Sequence, residues 1–144
     1  MIYTKMTKMA MLVAYNAHKD VMDRSGVPYI YHPMHVAEQM KDEITTCVAL
    51  LHDVVEDTDV TLDDLKIMGF SDEVLSAVKV LTHEKNVSYM DYIANVKPNN
   101  VASKVKIEDL KHNSDLTRLD VVDEKTKERV KKYQKALELL IRED

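Results

Sequence analysis

The sequence predicts an all-α, single-domain helical bundle, and three observations predict it. Apolar residues recur at spacings of three and four through most of the chain, the period of a helix with one buried face. Only two glycines and three prolines occur in 144 residues, too few to turn many hairpins. No stretch alternates apolar and polar residues as a half-buried strand would. The length suits one domain over residues 1–144, within the usual span of roughly 100–200 residues. No repeat, low-complexity tract or linker divides it.

The first helix is expected over 4–22, with Met6, Met9, Ala10, Leu12, Val13, Ala17 and Val21 at helical spacing. Ser25-Gly26-Val27-Pro28 ends it, because glycine and proline both break regular structure. A second helix runs over 33–40, with Pro33 in the first turn, where its missing N–H does no harm. The third, over 44–56, is the most apolar in the chain. Thr61 with Asp64, Ser71 before Asp72-Glu73, and Ser88 with Asp91 have the form of N-caps with acidic first turns. They open helices over 62–68, 72–83 and 89–96. Lys97-Pro98-Asn99-Asn100 forms a turn, and a helix follows through His112. The last helix covers 123–142, with Val130, Tyr133, Leu137, Leu140 and Ile141 on one side.

At 45% hydrophobic and 31% charged, the composition is that of a soluble globular protein. The formal charge of −5 argues against a nucleic-acid binder, though a few lysines around one cleft suffice for a small anion. Cys47 is the only cysteine, which excludes an intrachain disulfide and a four-cysteine zinc site; in its apolar helix it reads as a buried, inert thiol. Met1-Ile2-Tyr3-Thr4-Lys5 lacks the apolar region of a signal peptide. The apolar run Cys47–Leu51 is far shorter than the ~20 residues that span a bilayer. A cytoplasmic protein with no membrane partner is the expectation.

The third helix carries the chemistry. In Leu51-His52-Asp53-Val54-Val55-Glu56-Asp57 the ionisable residues interrupt an apolar sequence. At about 100° per residue from His52, Glu56 falls about 40° away, Asp53 about 100° and Asp57 about 140°. The four share one arc, while Ile44, Cys47, Val48, Leu51 and Val55 occupy the other. Buried charges need partners, so the stripe reads either as a metal or pairing site or as a solvated face with ordinary salt bridges. Lys106, Asp109 and Asn113 share a face of a later helix, and His32 stands at a turn entering a helix. Two imidazoles and two carboxylates form a mixed N/O set suited to Mn²⁺, Fe²⁺ or Zn²⁺.

These residues match the H…HD…D pattern, and the chain resembles the HD superfamily of metal-dependent phosphohydrolases. More closely it resembles the hydrolase domain of RelA/SpoT enzymes and the small alarmone hydrolases. Ser25-Gly26-Val27-Pro28-Tyr29-Ile30-Tyr31-His32-Pro33 is similar to SGxPYxxHP. Ala49-Leu50-Leu51-His52-Asp53-Val54-Val55-Glu56-Asp57-Thr58 is similar to ALLHDxxEDT, and the segment from Lys106 to Asn113 to KLADxxxN.

The resemblance implies an HD-type helical bundle in which His32, His52, Asp53 and Asp109 hold a divalent ion. Mn²⁺ is the expected ion, with Fe²⁺ or Zn²⁺ as alternatives. It implies that Glu56 and Asp57 position or deprotonate the attacking water, and that Arg24, Lys106 and Asn113 meet a small phosphorylated nucleotide. The implied activity is that of a guanosine-3′,5′-bis(diphosphate) 3′-pyrophosphohydrolase. Two alternatives stand beside it: an HD hydrolase of another phosphorylated nucleotide, and a catalytically silent module that binds a nucleotide or a protein. Asp23 and Asp115 occupy positions that are commonly basic in the alarmone hydrolases, which bears on substrate rather than on metal chemistry.

Overall fold

Helix caps order the architecture. In this computed structural model, which describes residues 1–143, helices begin where a short polar side chain accepts a backbone N–H. Thr4 opens α1 (Lys5–Ala17), Asp42 opens α3 (Glu43–Leu51), and Thr61 opens α5 (Leu62–Ile67) through a capping box with Asp64. Ser71, Ser88, Asn99 and Asp123 do the same for α6 (Asp72–Leu81), α7 (Tyr89–Val96), α8 (Asn100–Asn113) and α9 (Glu124–Ile141). Two short helices, α2 (Tyr31–Glu38) and α4 (Val54–Asp57), start without a side-chain cap, and a 3₁₀ turn spans Leu116–Arg118. Gly69 closes α5 at φ +100°: its N–H and that of Phe70 bond back to Lys66 and Leu65, a left-handed cap that only glycine adopts freely.

The expected all-α class holds: among the described residues there is no strand, only one isolated bridge between Met22 and Pro28. No helix is long and apolar enough to cross a membrane. α3 is the centre of the bundle, packed against α1, α2, α6 and α8. Its Val48, Ala49, Leu50 and Leu51 are wholly buried, so truncating either leucine to alanine should cost about 2–5 kcal/mol. Cys47 is buried there as well, and burial with the nearby Glu43 charge pushes its thiol up to about 12, as befits an inert side chain.

Three sequence expectations are corrected. The first helix stops at Ala17 rather than at 22, because the chain turns at His18 and then doubles back. Tyr29 donates its N–H to Val21 O and Asp23 to Val27 O in the return segment. Second, α1 buries Thr7, Ala10, Val13 and Ala14, leaving Leu12 61% exposed. Small alanines allow α1 to lie close on α3, and the face they form, with Val13 and the partly buried Met6 and Met11 against the core, leaves Leu12 on the opposite side. Third, the helix expected over 44–56 breaks at His52 and Asp53, between α3 and α4. The His52 ring takes the Ala49 carbonyl for itself at 2.5 Å, and the chain resumes helical bonding only at Val54.

Candidate metal centre and cavity

His32 is in the first turn of α2, His52 ends α3, Asp53 lies in the break, and Asp109 points inward from α8. The core therefore brings together three segments far apart in sequence. One ligand atom from each of the four residues lies within 4.8 Å of the others. His32 Nε2 is 2.7 Å from Asp109 Oδ1, and His52 Nε2 is 3.0 Å from Asp53 Oδ2 and 3.4 Å from Asp109 Oδ1. His32 and His52 are both 2% exposed and Asp109 3%, so water does little to screen these charges.

The donor set fits a divalent cation. His52 Nδ1–H donates to Ala49 O, which leaves the Nε2 lone pair facing two carboxylates. That nitrogen is buried without a counted hydrogen bond, 3.0 Å from Asp53 Oδ2 and 3.4 Å from Asp109 Oδ1. Lone pairs facing one another across such distances need a positive charge between them. Without an ion a proton takes that place: burial pulls His52 down, but Asp53 and Asp109 outweigh it and hold the imidazole well above its usual range. Burial likewise drives Asp109 up, and Lys106, His32 and His52 overcome it to hold the carboxyl well below its usual range.

A ring of supporting bonds aims the ligands. Tyr29 donates its hydroxyl to Asp53 Oδ2, and His18 packs on the Tyr29 ring with centroids 4.8 Å apart. Asn113 Nδ2 donates to Asp109 Oδ1 at 3.0 Å. Lys106 Nζ donates to Asp109 Oδ2 at 2.8 Å and lies over the Tyr92 ring. Lys106 thus turns toward Asp109 and does not line the adjoining cavity. His32 Nδ1 faces His112 Nδ1 at 2.7 Å, and burial with the nearby Arg118 charge presses His112 down to about 4.

A cavity of about 500 Å³ opens beside the cluster, with Tyr29 and His32 among its lining residues. Glu56 and Asp57 of α4 line it, as does Asn113. Glu56 Oε1 accepts the His83 N–H at 2.5 Å, which fixes its direction. Burial and the charges of Asp53 and Glu56 push Asp57 up to about 6, close to neutrality. Arg24, Arg118 and Arg129 supply positive charge to the walls, and Met22, Val130 and Tyr133 supply an apolar surface. The structure therefore gathers the expected His32, His52, Asp53, Asp109, Glu56, Asp57, Asn113 and Arg24 about one site.

The acidic residues at commonly basic positions are both accounted for locally. Asp23 Oδ1 accepts Ser25 N, Ser25 Oγ and Val27 N, and its Oδ2 takes Arg118 Nη2 at 3.2 Å. Asp115 caps the 3₁₀ turn by accepting the N–H and hydroxyl of Thr117. Sequence reasoning assigned no role to Tyr29, His112, Arg118 or Arg129. His112 carried a signal, since it lies three residues after Asp109 on the same helix and so near the same face. Arg118 carried none, because it sits in a short 3₁₀ turn outside any periodic pattern.

Among known proteins, the family described as HD domain matches residues 10–138. The human guanosine-3′,5′-bis(diphosphate) 3′-pyrophosphohydrolase MESH1 is 41% identical over 75 residues, 48% of this chain and 41% of that protein. The bifunctional (p)ppGpp synthase/hydrolase SpoT of Escherichia coli is 37% identical over 91 residues, 60% of this chain and 13% of that protein. A probable guanosine-3′,5′-bis(diphosphate) 3′-pyrophosphohydrolase of Synechocystis is 38% identical over 77 residues, 51% of this chain and 10% of that protein. The chain thus spans less than half the length of these curated relatives. A solved structure of a metazoan ortholog of SpoT, described as hydrolyzing ppGpp, matches 99% of this chain and 88% of its own, with TM-score 0.79 and 23% identity, a likeness of fold.

Proposed function

The chain belongs to the HD domain family, and on that premise we propose that it is a single-domain, metal-dependent phosphohydrolase removing pyrophosphate from the 3′ position of guanosine tetraphosphate or a related alarmone. The observation that carries this reading is the cluster of His32, His52, Asp53 and Asp109 beside a cavity that His32 lines together with carboxylates and arginines. Mn²⁺ is the ion assigned to it, with Fe²⁺ and Zn²⁺ as alternatives. We place the protein in the cytoplasm, where a lone thiol such as Cys47 stays reduced.

A divalent ion held by the four ligands would supply Lewis acidity, activating water and offsetting charge on the phosphoryl oxygens. Asp57, with its carboxyl near neutrality, accepts the proton of the attacking water, and Glu56, anchored by the His83 N–H, orients that water. As the water oxygen bonds to phosphorus, the bond from phosphorus to the ribose 3′ oxygen breaks, and a proton returns to that oxygen. Asn113 and Arg24 line the cavity where the phosphates and ribose lie. Lys106 acts on the substrate's charge from behind Asp109.

A second reading, hydrolysis of another phosphorylated nucleotide, is favoured by one observation: Asp23 binds Arg118 and so reduces the positive charge on that wall. The test is release of pyrophosphate or phosphate from a nucleotide panel that includes guanosine tetraphosphate, with purified protein and Mn²⁺. Rapid pyrophosphate release that EDTA and Asp109→Ala both abolish is expected. Turnover of a different nucleotide alone would select the second reading, and no turnover of any nucleotide would refute both.

A further inference from the structure

We propose that His112 is the positioning residue that sets the tautomer of His32, accepting its Nδ1 proton so that Nε2 is presented to the ion. This rests on the reading of His32 as a metal ligand.

The two rings meet in a way that leaves few choices. Their facing Nδ1 atoms are 2.7 Å apart, closer than two ring faces can approach, while the planes differ by only 7° and the centroids are 5.0 Å apart. The rings are therefore edge to edge and nearly coplanar, the geometry of an N–H···N hydrogen bond rather than of a stack. Only one of the facing nitrogens can carry the shared hydrogen. On its other side His32 points Nε2 into the cluster, 2.7 Å from Asp109 Oδ1. A nitrogen that binds an ion offers its lone pair, so the His32 proton must sit on Nδ1. His112 Nδ1 is then the acceptor, and His112 keeps its own hydrogen on Nε2.

His112 is itself held for this task. The His35 ring stacks on its face, with centroids 4.0 Å apart and planes 15° apart, and its carbonyl accepts Arg118 Nη1 at 2.8 Å. The two ligand histidines are thus fixed through the same ring atom by different means. The Ala49 carbonyl holds Nδ1 of His52, a main-chain group no substitution removes. A side chain holds Nδ1 of His32, so its orientation can be altered by one mutation. Because α8 carries both Asp109 and His112, one helix supplies a ligand and aims another that comes from α2.

The experiment measures Mn²⁺ affinity by titration calorimetry on the whole chain and two variants. His112→Phe keeps a flat ring against His35 but has no acceptor, and His112→Gln provides a carbonyl oxygen. His112→Phe should weaken Mn²⁺ binding by about 10–100-fold, the usual effect of losing a ligand's hydrogen-bond partner. His112→Gln should recover most of that loss, and the metal-free melting temperature should fall in His112→Phe, which leaves the buried His32 Nδ1 unpaired, and be restored in His112→Gln. Nitrogen-15 NMR of the Zn²⁺-loaded parent should show the His32 hydrogen on Nδ1, a readout that needs no variant to fold. Parental affinity in His112→Phe, an equal loss in His112→Gln, or a His32 Nδ1 without its hydrogen would overturn the proposal while the metal centre stands. A parent chain that takes up no Mn²⁺ would overturn the metal centre and this proposal with it.

Discussion

Lys106→Met removes a cation from beside a carboxylate that water hardly reaches. The ammonium lies 2.8 Å from Asp109 Oδ2, with the two side chains 13% and 5% exposed. Deleting one partner of a buried pair costs about 3–5 kcal/mol. His32 and His52 remain to answer the Asp109 charge, which sets the loss at the low end, about 3 kcal/mol. In a domain of this size that lowers the melting temperature by roughly 6–12 °C. The sign of the pH dependence follows from Asp109. In the parent its pKa is depressed, so the pair's contribution is present above the unfolded value and fades only as pH falls through the native one. Without Lys106, the largest of the influences that oppose burial is gone and the native pKa of Asp109 rises, so the variant's native state holds more protons than the parent's at the same pH. The variant's deficit should therefore shrink in acid and widen as pH rises through that raised value. Urea unfolding in EDTA, near pH 3 and near pH 8, reads this directly. Mn²⁺ affinity should move the other way and tighten, because the cluster has lost a positive charge. A deficit below about 0.5 kcal/mol at both pH values, within the range of ordinary surface changes, would refute the assignment of Lys106 as the counter-charge, as would weaker Mn²⁺ binding.

Three further outcomes are expected. With Asp57 pushed up to about 6 and acting as the base when deprotonated, kcat/KM should rise on an acid limb at or below pH 6. Asp57→Asn should remove that limb and about 100-fold of the rate, and an unchanged profile would take Asp57 out of the mechanism. Asp23→Ala deletes the acceptor of four donors, from Ser25, Val27 and Arg118, and should cost about 1–3 kcal/mol in urea unfolding. A negligible loss would mean that the 21–29 segment holds its form without it. Cys47, 1% exposed with its thiol pushed up to about 12, should react with a disulfide reagent only as fast as the chain unfolds, and prompt labelling of the native protein would contradict its burial.

Helix starts are legible in the sequence because a cap is a local bond: Ser71 and Ser88 accept N–H groups only three residues away. The four candidate ligands are legible because their side-chain types and motif order carry the chemistry. The break after Leu51 is not, since nothing in Leu50-Leu51-His52-Asp53-Val54 disfavours continued helix. What ends α3 is the His52 ring bonding the Ala49 carbonyl, a contact made only once that ring is turned into the site. The angular arc drawn over one continuous helix thus fails as geometry, although Glu56 and Asp57 still face the cavity next to the cluster. Leu12 lies outside for a similar reason: periodicity locates an apolar stripe, but the depth to which Ala10 and Ala14 let α1 approach α3 decides which edge is covered. The Asp23–Arg118 contact joins residues 95 apart, beyond the reach of any local rule.

On the proposed function, the charge of Lys106 would also set the order in which ion and nucleotide bind. Without an ion, the protons and charges at the cluster balance: Asp53 and Asp109 are negative, and Lys106 and the protonated His52 are positive. Exchange of the His52 proton for a divalent cation leaves the cluster one charge positive. Had position 106 been neutral, the same exchange would end at zero. The lysine would therefore give up some metal affinity so that the loaded cluster adds its own attraction for a polyanion to that of the arginines in the cavity walls. Binding should be sequential, ion before nucleotide, and a non-hydrolysable nucleotide should bind more weakly to the EDTA-treated chain than to the loaded one, however well its cavity is formed.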